Sequence, residues 1–335
     1  MGRPQSLNDF PVPIQRALNG ARAASGAARA QANRVASTAT SARDKVRGHH
    51  EKRRVDTPAP AAGTPIKEIK FSLGVTGRPN IVHDHGFLDD GTGKIDNSKR
   101  RSPTAADRLL LAKWIAMLEG AETFRSDLTD GTTAYRHFLF GTGVSRDCNY
   151  ERFVENDSSG TRVLSSTIED TMTAALRFSM QRMPFAPAKE TRDAFGFQSE
   201  IIVIGGSDLR YPYPATENWQ KAIGGHTIWL EGNATVIINP VAKSRSIEVQ
   251  MTLRMEDMYN FNPGDADIAT GTPDAENGRF EVTGLGHEFL QTAVLTRALH
   301  LRVDIGFKGD LRTAAGNTSV GRSGRTDRPR DRRRW

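Results

Sequence analysis

Apolar residues recur along this chain with two periods, and the change from one to the other divides it. Leu109, Leu110, Trp114, Met117 and Leu118 share one face of a 3.6-residue turn. Ser102-Pro103 ahead of them offers an N-cap and a first-position proline, and Gly120 a stop, so a packed amphipathic helix is predicted in between. Further helices are predicted over residues 135–140, closed by Gly141-Thr142-Gly143, and over residues 167–180. Past residue 200 the period falls to two. Residues 201–204, 227–230, 234–238, 246–254 and 292–305 alternate or are β-branched, with Gly, Asn and Pro between them, which predicts an antiparallel sheet. Residues 66–73 alternate well enough for one earlier strand. Helices first and strands afterwards define an α+β domain, a helical region followed by a curved antiparallel β-sheet or half-barrel.

The flanks lack both periods. Residues 16–48 are rich in Ala, Arg and Ser, with Leu18 the only leucine, so a helix there has no face to pack and is loose or held by a partner. Residues 56–65 read as a Pro/Ala linker. Residues 312–335 hold Arg, Gly, Ser and Thr with no core residue before Trp335, and are expected to be disordered. The predicted organisation is a leader and linker over residues 1–60, a small α+β region over 61–130, the main domain over 131–311 and a basic tail over 312–335.

Composition sharpens this division. Only 37% of residues are hydrophobic and the mean hydropathy is −0.51, low for two full cores in 335 residues. The net charge of +7 is unevenly held: residues 1–54 carry eleven Lys and Arg against three acids, residues 312–335 eight Arg against two Asp, and residues 55–311 are left at −7. An acidic body between basic ends is not expected to grip a phosphate backbone, so nucleic acid remains a reading for the ends alone. The single cysteine, Cys148, excludes an intrachain disulfide and a multi-thiolate zinc site, and reads as a buried or incidental thiol. No window reaches the roughly 18 apolar residues of a membrane span. Residues 1–30 lack the apolar stretch of a secretory signal, so export is expected to use a specialised machine.

Candidate chemistry concentrates in residues 255–279. Pro263, Gly264, Gly271 and Gly278 supply turns, which leaves Asp257, Tyr259, Asn260, Asn262, Asp265, Asp267, Asp274, Asn277 and Arg279 unexplained by turn chemistry. Together they offer cation-binding oxygens, a proton donor and an anion clamp. Asp257 with Asp265, Asp267 or Asp274 is expected to hold one Mg²⁺, which needs few protein ligands, with Arg279 as the clamp for an anion. The plainer reading is that Asp265, Asp267 and Asp274 cap turns and that Arg279 pairs with one of them. Asp265-x-Asp267 lacks the Gly and distal Glu of an EF-hand. His287, after Gly284-Leu-Gly286, is a proton-transfer candidate or a surface strand histidine. His83-Asp84-His85 shows no third ligand, and His137 reads as structural. Tyr213 and Trp219, in the aromatic stretch 211–219, join Asn262 and Asn277 as candidates for substrate contact, against an aromatic lid over the sheet.

Several segments, in order, carry a resemblance. Residues 136–146, Arg-His-Phe-Leu-Phe-Gly-Thr-Gly-Val-Ser-Arg, end a helix in an aromatic-Gly-x-Gly turn followed by Arg. Residues 232–238, Gly-Asn-Ala-Thr-Val-Ile-Ile, form a Gly-containing hairpin strand. Residues 256–262, Glu-Asp-Met-Tyr-Asn-Phe-Asn, resemble an Asp-x-Tyr-Asp-Phe-Asn signature, and Leu285-Gly286 and a final strand pair follow. Over about residues 130–305 the chain thus resembles the colicin M family, phosphodiesterase toxins that destroy lipid-linked peptidoglycan precursors. The resemblance implies Asp257 as the first catalytic acid and Tyr259 as the family's tyrosine. Asn260 stands where the family has its second Asp, and a carboxamide is neither a base nor an anion. The family's following His-Arg pair is absent from Gly264-Asp-Ala-Asp-Ile, which leaves Arg279 or His287 to return from further along.

The implied activity is hydrolysis of lipid II or undecaprenyl pyrophosphate on the periplasmic face of a target bacterium by a secreted or injected antibacterial effector. An immunity protein covering residues 255–280 and a secretion apparatus or adaptor engaging residues 1–60 are the implied partners. Two other readings stay open. One is a non-enzymatic binding or structural module of a secretion or phage-related system that keeps the fold; the other is a nucleic-acid-binding protein working through its basic tails.

Overall fold

A computed structural model describes residues 68–184, 186–316 and 318–321; the leader, the linker and residues 322–335, with the expectations that fall on them, lie outside the described residues. The elements in chain order are β1 (Phe71–Leu73), α1 (Ala105–Phe124), α2 (Thr129–Phe140), β2 (Arg146–Asp147), α3 (Tyr150–Asn156), α4 (Ser158–Arg182), β3 (Thr191–Ser199) and β4 (Ile202–Ile204). Then follow α5 (Glu217–Ala222), β5 (His226–Asn239), β6 (Ser244–Tyr259), α6 (Ala275–Thr283), β7 (Phe289–Asp304), α7 (Leu311–Gly316) and β8 (Ser319–Gly321). One sheet has the order β1-β3-β5-β6-β7-β2, with β4 beside β5 and β8 beside β7. Every pairing is antiparallel except that of β2 with β7. Neither edge returns to the other, so the sheet is open, and the predicted α+β class holds.

The period of two makes this sheet one-sided. Ile228, Leu230, Val236 and Ile238 of β5, Ile247, Val249, Met251, Leu253 and Met255 of β6, and Leu295, Leu299 and Leu301 of β7 are buried. They form one core with Val163, Met172 and Leu176 of α4 and with Ala314 and Ala315 of α7. The intervening Glu248, Gln250, Val294 and Thr296 stay exposed or half-exposed, as an alternating strand with one solvated face requires.

Several boundaries differ from the predicted ones, each for a stated bond. Helix α1 starts at Ala105, because Thr104 and Asp107 form a reciprocal capping box in place of a Ser102 cap, and it continues through Gly120. Helix α2 starts six residues before Tyr135, because Asn218 Oδ1 accepts the otherwise unpaired N–H groups of Asp130 (2.9 Å) and Gly131 (3.1 Å). Helix α4 starts at Ser158 under its Asp157 cap. Strand β5 is continuous across Gly232, where a Cβ would lie 2.3 Å from the Phe197 ring: the glycine admits an aromatic and breaks nothing. Strand β3 was unpredicted, since Asp193, Gly196 and Gln198 dilute its apolar pattern; its pairing with β5 holds it. Residues 312–316 and 319–321, expected to be disordered, form most of α7 and all of β8.

Candidate active site

The core-facing stripe of β6 runs Leu253, Met255, Asp257, Tyr259, so an acid occupies a position where the pattern asks for an apolar residue. The register sets Asp257 opposite Gln291 of β7, and Gln291 opposite Arg146 of β2. A polar row therefore crosses three strands at the end of the core. Gln291 is 0% exposed, and its Nε2 donates to Asp257 Oδ2 (3.1 Å) and to the Ala222 carbonyl (2.6 Å). Its Oε1 accepts from Arg146 Nη1 (3.3 Å), so all three partners agree on one orientation of the amide. Arg146 is half-buried and forms no ion pair among the described residues, which leaves most of its planar fork of donors for an anion.

Burial pushes the Asp257 carboxyl up to about 8; the charge of Asp84 adds to this and the Gln291 bond opposes it. Asp257 and Tyr259 nevertheless keep part of their surface accessible. We read side chains that are both solvent-touched and strongly desolvated as lining a cleft at this end of the sheet. Burial likewise holds the Tyr259 phenol protonated, with Asp257 as the next cause, and its ring stacks on Phe289 with centroids 5.0 Å apart. Tyr213, 38% exposed, is pushed up to about 12 by burial and then by Asp257, Asp274, Asp267 and Asp265. Burial pushes the Cys148 thiol up to about 12, which disqualifies it as a nucleophile. The cleft thus brings together a carboxyl whose proton is held far more tightly than usual, two phenols and a guanidinium.

Residues 78–89 cross this end of the sheet as a strap. Arg78 clamps Glu256 through Nε and Nη2 (both 2.8 Å at closest), and His83 Nε2 meets the same carboxylate at 3.2 Å. Asn260 Nδ2 donates to the Asp84 carbonyl (3.0 Å) and to Asp84 Oδ1 (2.7 Å). His85 Nδ1 meets Glu288 Oε1 at 3.0 Å. Glu281 of α6 accepts the N–H groups of Phe87 (3.1 Å) and Phe261 (2.7 Å), stapling strap to loop, and burial pushes its carboxyl up to about 8. Burial raises Glu288 as well, against the pull of His85.

The remaining predicted residues go elsewhere. Met255 to Tyr259 belong to β6 and Ala275 to Arg279 to α6, so the true loop is residues 260–274. Arg279 donates to Asp107 through Nε (2.8 Å) and Nη2 (2.7 Å), sharing it with Arg101; its partner is outside the loop and its role is to anchor α6. His287 is half-buried, and its pKa is lowered by burial and then by Arg100; its backbone N–H holds the Phe138 carbonyl (2.9 Å). Asp267 binds Lys221 and caps the turn at Thr270; burial alone would raise it, but these bonds hold it below the usual carboxylate range. Asp274 accepts the Asn262 N–H (3.2 Å), and burial raises it. Asn277 is buried and accepts the Tyr135 hydroxyl (2.6 Å). Trp219, 3% exposed, packs on Phe153 in the core, so of the two aromatic candidates only Tyr213 faces the cleft.

The fit to Mg²⁺ is poor. Asp267 is taken by Lys221, and no three His, Cys, Asp or Glu side chains gather as cation ligands among the described residues. Residues that join the site without having been singled out are Gln291, Glu281 and Glu288, and Asp84 joins it from the His83-Asp84-His85 run set aside for want of a third ligand. Gln291 had a legible signal, a carboxamide in the apolar stripe Phe289, Ala293, Leu295. The same signal also marks Arg297, which serves only to pair with Glu151 (2.7 Å), so it finds structural and chemical residues alike. No family model, curated protein or solved structure matches the chain.

Proposed function

We propose that the protein is an antibacterial effector with a colicin M-like domain that hydrolyses a polyprenyl-linked pyrophosphate, lipid II or undecaprenyl pyrophosphate, in the periplasm of a target cell. The observation that carries the reading is the Asp257–Gln291–Arg146 row. Two of the segments that resemble the family, residues 136–146 and 256–262, are remote in sequence and meet in space through one buried amide. The chemistry of the row suits phosphoryl hydrolysis. Arg146 binds a pyrophosphate oxygen, and the Tyr259 and Tyr213 hydroxyls donate to others. Asp257, protonated at neutral pH, gives its proton to the leaving oxygen as water attacks phosphorus.

An immunity protein would shield the mouth of this cleft, which residues 255–280 border, and residues 1–60, outside the described residues, would serve delivery. No helix among the described residues is long and apolar enough to cross a membrane. The test is incubation of the full chain with lipid II, in Mg²⁺ and in EDTA, with released polyprenol and pyrophosphorylated disaccharide as the readout. Activity surviving EDTA makes the side chains sufficient; activity lost in EDTA makes the cation part of the site. The rival reading, a binding module that keeps the fold, rests on Asn260 and on Arg279 lying outside the cleft. It gains if no cation supports cleavage and periplasmic expression harms no host lacking immunity.

A further inference from the structure

A cleft that holds its proton donor at Asp257 needs a separate group to take the proton from water, and the acids around it are almost all committed. Glu256 is clamped by Arg78 and His83. Glu281 accepts two backbone N–H groups and is buried. Glu288 meets His85 through Oε1 and keeps its unpartnered Oε2 buried, Asp267 is taken by Lys221, and Asp274 accepts the Asn262 N–H. Asp84 differs from all of them. Its side chain is exposed, and its Oδ1 is fixed by Asn260 Nδ2 (2.7 Å) and by the Gly86 N–H (3.1 Å). Its Oδ2 takes no bond from the described residues. Its anchor Asn260 follows β6 three residues after Asp257, and its charge adds to the upward shifts of Asp257, Glu281 and Glu288. Asp265 is exposed too, but no hydrogen bond among the described residues fixes its carboxylate.

We propose that Asp84 is the second catalytic carboxylate of this cleft, and that Asn260 is the positioning residue that aims it. The inference rests on the hydrolytic reading above. The water oxygen forms a bond to phosphorus, its proton passes to Asp84 Oδ2, the bond from phosphorus to the leaving oxygen breaks, and that oxygen takes the Asp257 proton. Solvent then returns a proton from Asp84 to Asp257, and no other reactant is needed.

The test uses the full chain on lipid II with four variants. Asp84→Asn keeps the shape and the Asn260 contact, and is expected to lower kcat by about 10²-fold or more with KM unchanged. Asp90→Asn, an exposed acid just past the strap whose carboxylate accepts only from Thr92 and the Lys94 N–H in its own turn, is the control and retains the wild-type rate. Asn260→Asp added to Asp84→Asn returns a carboxylate to the same hydrogen-bonded pair from the other side, and is expected to recover part of kcat; Asn260→Asp alone supplies the reference. Wild-type kcat in Asp84→Asn overturns the proposal, as does a change confined to KM or a double variant as slow as Asp84→Asn. If the wild-type chain cleaves no pyrophosphate lipid at all, the hydrolytic reading falls first and this inference with it.

Discussion

Asp257 takes its character from where the strand pattern puts it. A carboxyl on the core-facing stripe of β6, given one hydrogen bond by Gln291, cannot shed its proton as cheaply as one in water. Two outcomes follow at this scale. Lipid cleavage should decline as pH rises through about 8, where Asp257 gives up the proton it must donate, and Asp257→Asn should lose about 10²- to 10⁴-fold in kcat and show no such decline. Stability should fall over the same rise in pH, but here neutralising the residue helps rather than harms. A folded-state pKa raised from 3.8 to about 8 favours folding fully below the unfolded value, and the benefit is lost as pH rises towards 8. Asp257→Asn should therefore match the wild-type melting temperature near pH 4 and exceed it near pH 8. One unit of the shift corresponds to about 1.4 kcal/mol, a few degrees for a domain of this size, which calorimetry at the two pH values resolves. A residue that gains stability and loses turnover when neutralised is one kept for chemistry.

At the scale of elements, the strap and α6 decide whether the cleft is complete. Gly278 lets them meet: a Cβ there would lie 2.0 Å from the Phe87 ring. Replacing it with alanine sets two effects against each other. Helix propensity gains about 1 kcal/mol, while forcing a methyl into a filled contact costs about 1–3 kcal/mol. The clash should win, so Gly278→Ala is expected to melt lower than wild type. It should also lose kcat, since displaced Phe87 carries Asp84 with it. This closure was the part of the site the sequence hid. Helix α6 was read as loop because Gly278 and the polar run before it mimic turn chemistry, and its fit depends on a ring nearly two hundred positions earlier. The helix and strand periods at α1, β6 and β7 were legible because each is local. The N-termini of α2 and α4 were not, because Asn218 caps the first and Asp157, which caps the second, also holds Thr216 of a distant segment.

Over the whole molecule the α+β order was readable from the switch of period, whereas the site was readable only in part. Asp257, Tyr259 and Tyr213 stood in dense polar or aromatic runs; Gln291 stood alone and Asp84 in a His-Asp-His run without a third ligand, and only the register and the strap bring them to the same end of the sheet. The distribution of charge bears on the last alternative, binding to nucleic acid. Residues 55–311 carry −7 against +8 in residues 1–54, so any affinity for a polyanion belongs to the ends. Removal of residues 1–54 and 322–335 separates the two activities, and stopping at residue 321 matters, because Ala314 and Ala315 of α7 are part of the core. The trimmed chain is expected to cleave lipid II at the full rate, since the described site runs from residue 78 to residue 291. Its retention on duplex DNA at low salt should fall by about tenfold or more, and the steep salt dependence of the full chain should vanish with it, because each phosphate neutralised by Lys or Arg adds roughly one to that slope. Undiminished, salt-sensitive DNA binding by the trimmed chain would place a polyanion site on the acidic body and count against a cleft built for a single pyrophosphate.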